Sequence, residues 1–192
     1  MDTKDRINFI TKWIYDYATS INDVPKNLVI GVSGGIDSAV TSTLCAKTNL
    51  NTIVVSMPIK QNIDQHSLST LHCKKLKSEF KNVSSFEINL DQNFKLFQNT
   101  MRKFNSDLGF ANSRSRLRMV TLYQVAQSKN GLVVGTGNKV EDFGIGFYTK
   151  YGDGGVDLSP IADCTKTQVW EMAKELNVSK KIIEAKPTDG LW

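Results

Sequence analysis

The sequence predicts a doubly wound α/β protein, a mostly parallel sheet with helices on both faces. Short apolar runs at 27–33 and 52–57 are the size of buried strands, and further strands are expected at 83–90 and 131–134. Segments of helical periodicity separate them. Strands that alternate with helices in this way build parallel sheets covered on both sides, and right-handed crossovers wind the chain around one sheet. Ligands in such folds sit beyond the carboxyl ends of the strands, which singles out 33–38, 57–62 and 135–141.

Each element has its own signal. At 3–21, Ile7, Ile10, Trp13, Ile14, Tyr17 and Ile21 recur at three- and four-residue steps, the spacing of an amphipathic helix. The first strand, 27–33, is bounded by Pro25 and by glycines, and a helix follows at 36–47. The second strand, 52–57, is closed by Pro58. A helix near 64–80 carries Leu68, Leu71, Leu76 and Phe80, and the third strand is 83–90. Helices are expected at 92–104 and 113–129, the second capped by Asn112 or Ser113. The fourth strand is 131–134. Gly and Asp crowd 135–160, which reads as loop. A last helix, 165–176, turns Val169, Met172, Ala173 and Leu176 to one side. No repeat, low-complexity tract or linker interrupts the chain.

Composition narrows the class. The 192 residues suit one domain, and 40% hydrophobic and 22% charged residues are ordinary globular usage. The net charge of +5 excludes an acidic disordered chain and permits anionic partners. Cys45, Cys73 and Cys164 form no CxxC pair, so they read as buried reduced thiols. His66 and His72 lack the i, i+4 spacing of a helical metal pair. The N-terminus lacks a signal-peptide pattern, and no apolar stretch is long enough to span a bilayer. A soluble cytoplasmic protein is expected.

The most informative segment follows the first strand. Ser33, Gly34, Gly35, Ile36, Asp37 and Ser38 make a glycine-rich turn that runs into a helix. Its exposed N–H groups and the helix N-terminus form an anion cradle, to which Ser33 and Ser38 add hydroxyls. The Gly-Lys-[Ser/Thr] ending of a Walker A loop is missing. An acid, Asp37, stands inside the cradle instead. A carboxylate there repels phosphate unless a cation lies between them, which makes Asp37 a candidate Mg²⁺ ligand. Position alone equally allows an Asp that simply favours a helix N-terminus.

Further along, Arg114 and Arg118 place like charges at i, i+4 near an expected helix start, a double penalty that a bound anion relieves. Glu141, beyond the fourth strand, offers a second carboxylate. Aromatics, glycines, Lys150 and Asp153 interleave at 147–155 and suit stacking on a flat ring. Thr165 and Gln168 fit a capping box, putting Lys166 at the first helical position, where a phosphate offsets its unfavourable placement. A solvated basic face, a surface loop acid, a generic flexible loop and a surface lysine are the plain alternatives for these four.

The Ser-Gly-Gly-x-Asp-Ser string resembles the PP-loop of ATP pyrophosphatases, enzymes that cleave ATP between the α and β phosphates and transfer AMP. The likeness extends further. Asn-Ser-Arg-Ser-Arg-Leu-Arg-Met at 112–119, Gly-Thr-Gly-Asn-Lys-Val-Glu at 135–141, Phe-Tyr-Thr-Lys-Tyr-Gly-Asp-Gly-Gly at 147–155, Asp-Leu-Ser-Pro-Ile at 157–161 and Lys-Pro-Thr-Asp-Gly-Leu-Trp at 186–192 occur in the order found in NAD synthetases. Residues 28–192 are similar to the short, ammonia-using form of that family.

The resemblance implies a Rossmann-like fold of the adenine-nucleotide α-hydrolase type. It also implies a single synthetase domain over 1–192 that lacks the family's C-terminal segment, whose His-Lys pair helps bind the dinucleotide. Gly31, Ser33, Gly34, Gly35, Asp37 and Ser38 would bind ATP, with Thr136, Lys166 and Thr188 as further contacts. Asp37 and Glu141 would hold Mg²⁺. Arg116, Lys150 and Asp157 would contact deamido-NAD, and Asp153 is a candidate base for ammonium beside Asp37 and Lys166 as catalytic groups. The implied reaction adenylates deamido-NAD with ATP and then displaces AMP with ammonia. A homodimer is implied, without nucleic-acid or membrane partners. Alternatives are another PP-loop AMP-transferring amidotransferase or thiolase, and a non-catalytic nucleotide-binding homologue. Arg114 departs from the Lys that many members carry there.

Overall fold

A computed structural model of the chain describes residues 1–20, 26–60 and 63–185. Four strands form one parallel sheet in the order β3-β2-β1-β4: β1 is Asn27–Gly31, β2 Thr52–Ser56, β3 Val83–Glu87 and β4 Gly131–Val134. The chain runs outward from β1 through β2 to β3, then returns to lay β4 on the other side of β1. That reversal opens a crevice beyond the ends of β1 and β4, with Ile30 opposite Val134 at its mouth.

The sheet is covered on both faces, as the apolar runs predict. Side chains alternate along a strand, so Leu28 and Ile30 join one core while Val29 joins the other. The first core gathers α1 (Thr3–Ser20), α2 (Ile36–Lys47), α6 (Lys166–Glu175) and the short α7 (Lys180–Ile183). Cys73 and Leu76 of α3 (Ile63–Glu79) reach the same side. The second core sets Phe94 of α4 (Asp91–Thr100) and Met119, Leu122 and Ala126 of α5 (Asp107–Ser128) against Val29, Ile53, Val55 and Val133. The three cysteines are buried and free, as expected. Among the described residues no helix is long and apolar enough to cross a membrane.

Three local expectations change. On α1, Ile7, Ile10, Ile14 and Ala18 are buried, whereas Trp13 and Tyr17 stand outside, their rings stacked 5.8 Å apart. Ala18 is fully enclosed in the first core, while the two rings lie on the outer side of the helix. Ile21 lies outside the described residues. The second correction concerns α5, which begins at Asp107, six residues before the expected start. Its cap is Ser106, whose Oγ accepts from Gly109 N at 3.1 Å, not Asn112 or Ser113. Arg114 and Arg118 therefore sit in the body of a long helix, and no dipole penalty applies to them. Arg118 Nε donates to Met57 O at 3.0 Å and ties α5 to the end of β2. Burial, then the charge of Arg114, pulls its guanidinium down to about 10. Third, the loop 135–160 contains a π-helical turn at Val140–Ile145, a form frequent at functional sites.

Candidate active site

The turn 32–35 leaves β1 and enters α2 directly. Gly34 takes φ +94°, a left-handed conformation that favours glycine. The two serines are spent largely on the turn itself. Ser38 Oγ donates to Gly35 O at 2.9 Å and accepts from Ser33 N at 3.2 Å, and Gly35 N donates to Ser33 Oγ at 3.2 Å. Ser38 is buried, so its hydroxyl fastens the loop where the sequence suggested an outward donor. Gly35 is the N-cap of α2 and offers no capping side chain, leaving the first-turn amides to the crevice.

Asp37, in that first turn, points toward the β4 side. Lys166 Nζ donates to Asp37 Oδ2 at 2.5 Å and to Glu141 Oε1 at 2.9 Å. The capping box forms as expected: Thr165 Oγ1 accepts from Gln168 N, and Gln168 Oε1 accepts from Thr165 N at 2.9 Å. It sets Lys166 as the first residue of α6. Burial pushes the Asp37 carboxyl up, against the pull of Lys166. Burial draws the Lys166 ammonium down, but Asp37 and Glu141 outweigh it and hold the group above its ordinary value.

Two residues that sequence reasoning passed over complete this centre. Asn138 is fully buried. Its Nδ2 donates to Asp37 Oδ1 at 3.0 Å, and its Oδ1 accepts from Val140 N at 3.1 Å and Glu141 N at 3.2 Å. Asp142 lies close enough to Asp153, Glu141 and Asp37 to feel their charges. Burial first, and then those neighbours, raise its carboxyl to about 6. For Asn138 the available hints were its place directly after a glycine-rich strand exit and inside the Gly-Thr-Gly-Asn-Lys-Val-Glu segment.

The described residues contain no group of three or more His, Cys, Asp or Glu able to hold a metal. What they do contain is a pair of carboxylates converging on one cationic position. Mg²⁺ is commonly bound by one or two carboxylates, with substrate phosphates and water filling the rest. Asp37 and Glu141 fit that donor set.

A second group lies on α5. The turn 149–155 is fastened there by Ser115, whose Oγ donates to Asp153 Oδ1 at 2.6 Å and accepts from Asp153 N at 2.9 Å. Thr149 N donates to the same Asp153 oxygen, and Thr149 Oγ1 donates to Asn112 Oδ1 at 2.8 Å. A Cβ at Gly152 would collide with Ser115 Oγ and come within 2.9 Å of Thr149 Cβ, so the close approach favours glycine. Arg116 Nε donates to Lys150 O at 3.1 Å, and Lys150 Nζ lies 5.2 Å from the Tyr151 ring centre. Arg116, Lys150, Phe147 and Tyr148 are exposed beside them.

The remaining candidates are scattered. Thr136 is half-buried just past β4. Asp157 is engaged within the chain: Val133 N donates to its Oδ2 at 2.7 Å and Tyr123 Oη to its Oδ1 at 3.0 Å. Burial, with Asp157 beside it, pushes the Tyr123 phenol up to about 12. Thr188 lies outside the described residues.

The order of these parts along the chain matches the NAD synthase family model over residues 6–192. The chain belongs to that family. An NH(3)-dependent NAD(+) synthetase of Finegoldia magna is 39% identical over 184 residues, covering 95% of this chain and 73% of that protein. One from Carboxydothermus hydrogenoformans is 36% identical, with 98% and 76% covered. Among solved structures, an NMN synthetase from Francisella tularensis superposes with TM-score 0.90 at 33% identity, covering all of this chain and 78% of that one. An NH3-dependent NAD synthetase from Campylobacter jejuni, in complex with a nitrate ion, gives 0.85 at 28% identity, with 95% and 77% covered. The fold and the family expected from the motif series both hold.

Proposed function

We propose that the chain amidates deamido-NAD to NAD with ammonia at the expense of ATP. The nicotinate carboxylate attacks the α-phosphorus, giving adenylated deamido-NAD and pyrophosphate. Ammonia then attacks the activated carbonyl and releases AMP and NAD. Activation is required because hydroxide is a poor leaving group from a carboxylate. The observation that carries this reading is the convergence of Lys166 on Asp37 and Glu141 at the β1–β4 crevice, beside a glycine-rich anion cradle, in a member of the NAD synthase family.

In this reading the turn 31–38 and the first-turn amides of α2 receive the ATP phosphates, with Thr136 and Thr188 as further contacts. Lys166 offsets the charge that builds on departing pyrophosphate. Mg²⁺, when bound by Asp37 and Glu141, neutralises phosphate oxygens. Arg116 and Lys150 meet the anionic groups of the dinucleotide, and Asp157 holds the segment that follows β4. Positioning supplies much of the rate. A second copy of the chain covers the exposed Leu96, Phe104, Leu108 and Val120 on α4, the turn Arg102–Phe104 and α5, which are 59–76% accessible.

A second reading takes the deamido mononucleotide as acceptor. It is favoured by the likeness to the Francisella NMN synthetase. Purified protein incubated with Mg·ATP and ammonium, with either acceptor, decides between them by the amide product. Release of AMP and pyrophosphate with deamido-NAD, and formation of NAD, is the expected result. Pyrophosphate only with another acceptor would favour a different AMP-transferring enzyme. None with any acceptor would leave a nucleotide-binding module.

A further inference from the structure

We propose that Asn138 is a positioning residue whose single amide sets Asp37 and Glu141 in the relative placement that receives Mg·ATP. The inference rests on the reading of this site as one for metal-bound ATP. Its ground is the division of labour across one buried side chain. The donor end, Nδ2, holds Asp37 Oδ1 at 3.0 Å, on the oxygen that Lys166 does not take. The acceptor end, Oδ1, holds the amides of Val140 and Glu141, which start the turn that carries the Glu141 carboxylate. Asp37 comes from the unit after β1 and Glu141 from the segment after β4, 104 positions apart in the chain. Asn138 bonds to both.

Few side chains can do this. Asp accepts from the amides but turns a second carboxylate on Asp37. Gln is one methylene too long for a fully enclosed position. Ser accepts from backbone N–H groups two and three residues on, as in a cap, but is too short to reach Asp37. Partners that orient metal-binding groups typically change metal affinity or activity by about 10–100-fold when lost.

That geometry makes N138S the discriminating variant and N138A its control. N138S keeps an acceptor for the turn and loses the bond to Asp37; N138A loses both. The measurements are the thermal midpoint of each protein, the affinity for Mn·ATP by electron paramagnetic resonance, and the affinity for deamido-NAD. N138S is expected to melt close to the wild type and well above N138A, to bind Mn·ATP about 10–100-fold more weakly, and to bind deamido-NAD as the wild type does. A purely structural role would not weaken Mn·ATP alone. An N138S that binds Mn·ATP like the wild type, or that melts with N138A, overturns the assignment while leaving the site reading intact. A wild type that does not bind Mn·ATP removes the site reading and this inference with it.

Discussion

Lys166 Nζ lies 2.5 Å from Asp37 Oδ2, although 129 residues separate the two in sequence. The first residue of α6 is thereby locked to the first turn of α2, and Glu141 shares the same ammonium. Lys166→Met keeps the length of the side chain and removes its charge. Turnover is expected to fall by about 100-fold or more, in line with the loss of one preorganised charge-stabilising donor. Circular dichroism should show a retained fold. Steady-state kinetics within about threefold of the wild type would reduce Lys166 to a counter-ion for two acids.

Asp153 spends Oδ1 on Ser115 and Thr149. Asn at this position keeps that oxygen as an acceptor, whereas Ala removes it. Asp153→Asn is therefore expected to stay within about tenfold of wild-type turnover, and Asp153→Ala to raise KM for deamido-NAD more than KM for ATP. Equal and complete inactivity of both variants would instead make Asp153 the base that takes a proton from ammonium.

His72 is buried on α3, with Nε2 3.0 Å from Ser42 Oγ of α2. Burial, then the charge of Lys75, lowers its pKa to about 4 from an ordinary 6.5. Between those values the folded state binds fewer protons than the unfolded one, so stability rises with pH. The contribution is complete above about pH 6.5 and is lost as pH falls toward about 4, at most about 3 kcal/mol. Asp142, raised to about 6, works in the opposite sense over part of that range. Urea unfolding at pH 7.5 and pH 5 should therefore be compared between wild type and His72→Gln. The variant is expected to lose less stability on acidification, and parallel losses would contradict a neutral buried His72.

Val120 and Leu108 lie on α5 with 67% and 59% of their surface accessible. A second chain packed there would not tolerate charge. Sedimentation of Val120→Glu and Leu108→Glu is expected to show monomers at micromolar concentration, against a dimeric wild type. An unchanged sedimentation coefficient would place any interface elsewhere.

The sheet and the two ends of the site were legible because they depend on local pattern. Short apolar runs gave β1, β2 and β4, whereas edge strand β3 buries only Val83, and glycine-rich exits marked where β1 and β4 deliver Asp37 and Glu141. The capping box at Thr165 likewise located Lys166. Long-range consequences were not legible. Gly109 sits in the first turn of α5 and masks a helix whose cap, Ser106, lies three residues earlier. On α1 the apolar face runs through Ile7, Ile10, Ile14 and Ala18 and leaves Tyr17 outside, a choice that the large apolar residues alone do not reveal. Asn138 stands inside the Gly-Thr-Gly-Asn-Lys-Val-Glu segment, but nothing local assigns it a partner; its role exists only because Asp37, 101 residues earlier, is folded against it.

The strand order has a consequence for timing. No segment ending before β4 can hold both Asp37 and Glu141, because the chain must first close a loop of about a hundred residues to seat Val134 beside Ile30. Closing such loops is entropically costly, and non-local parallel pairing is slow. A nascent or half-folded molecule therefore carries the anion cradle without the opposing acid or the lysine. The three charged groups of the site are brought together only once β4 is paired with β1 and α6 has docked.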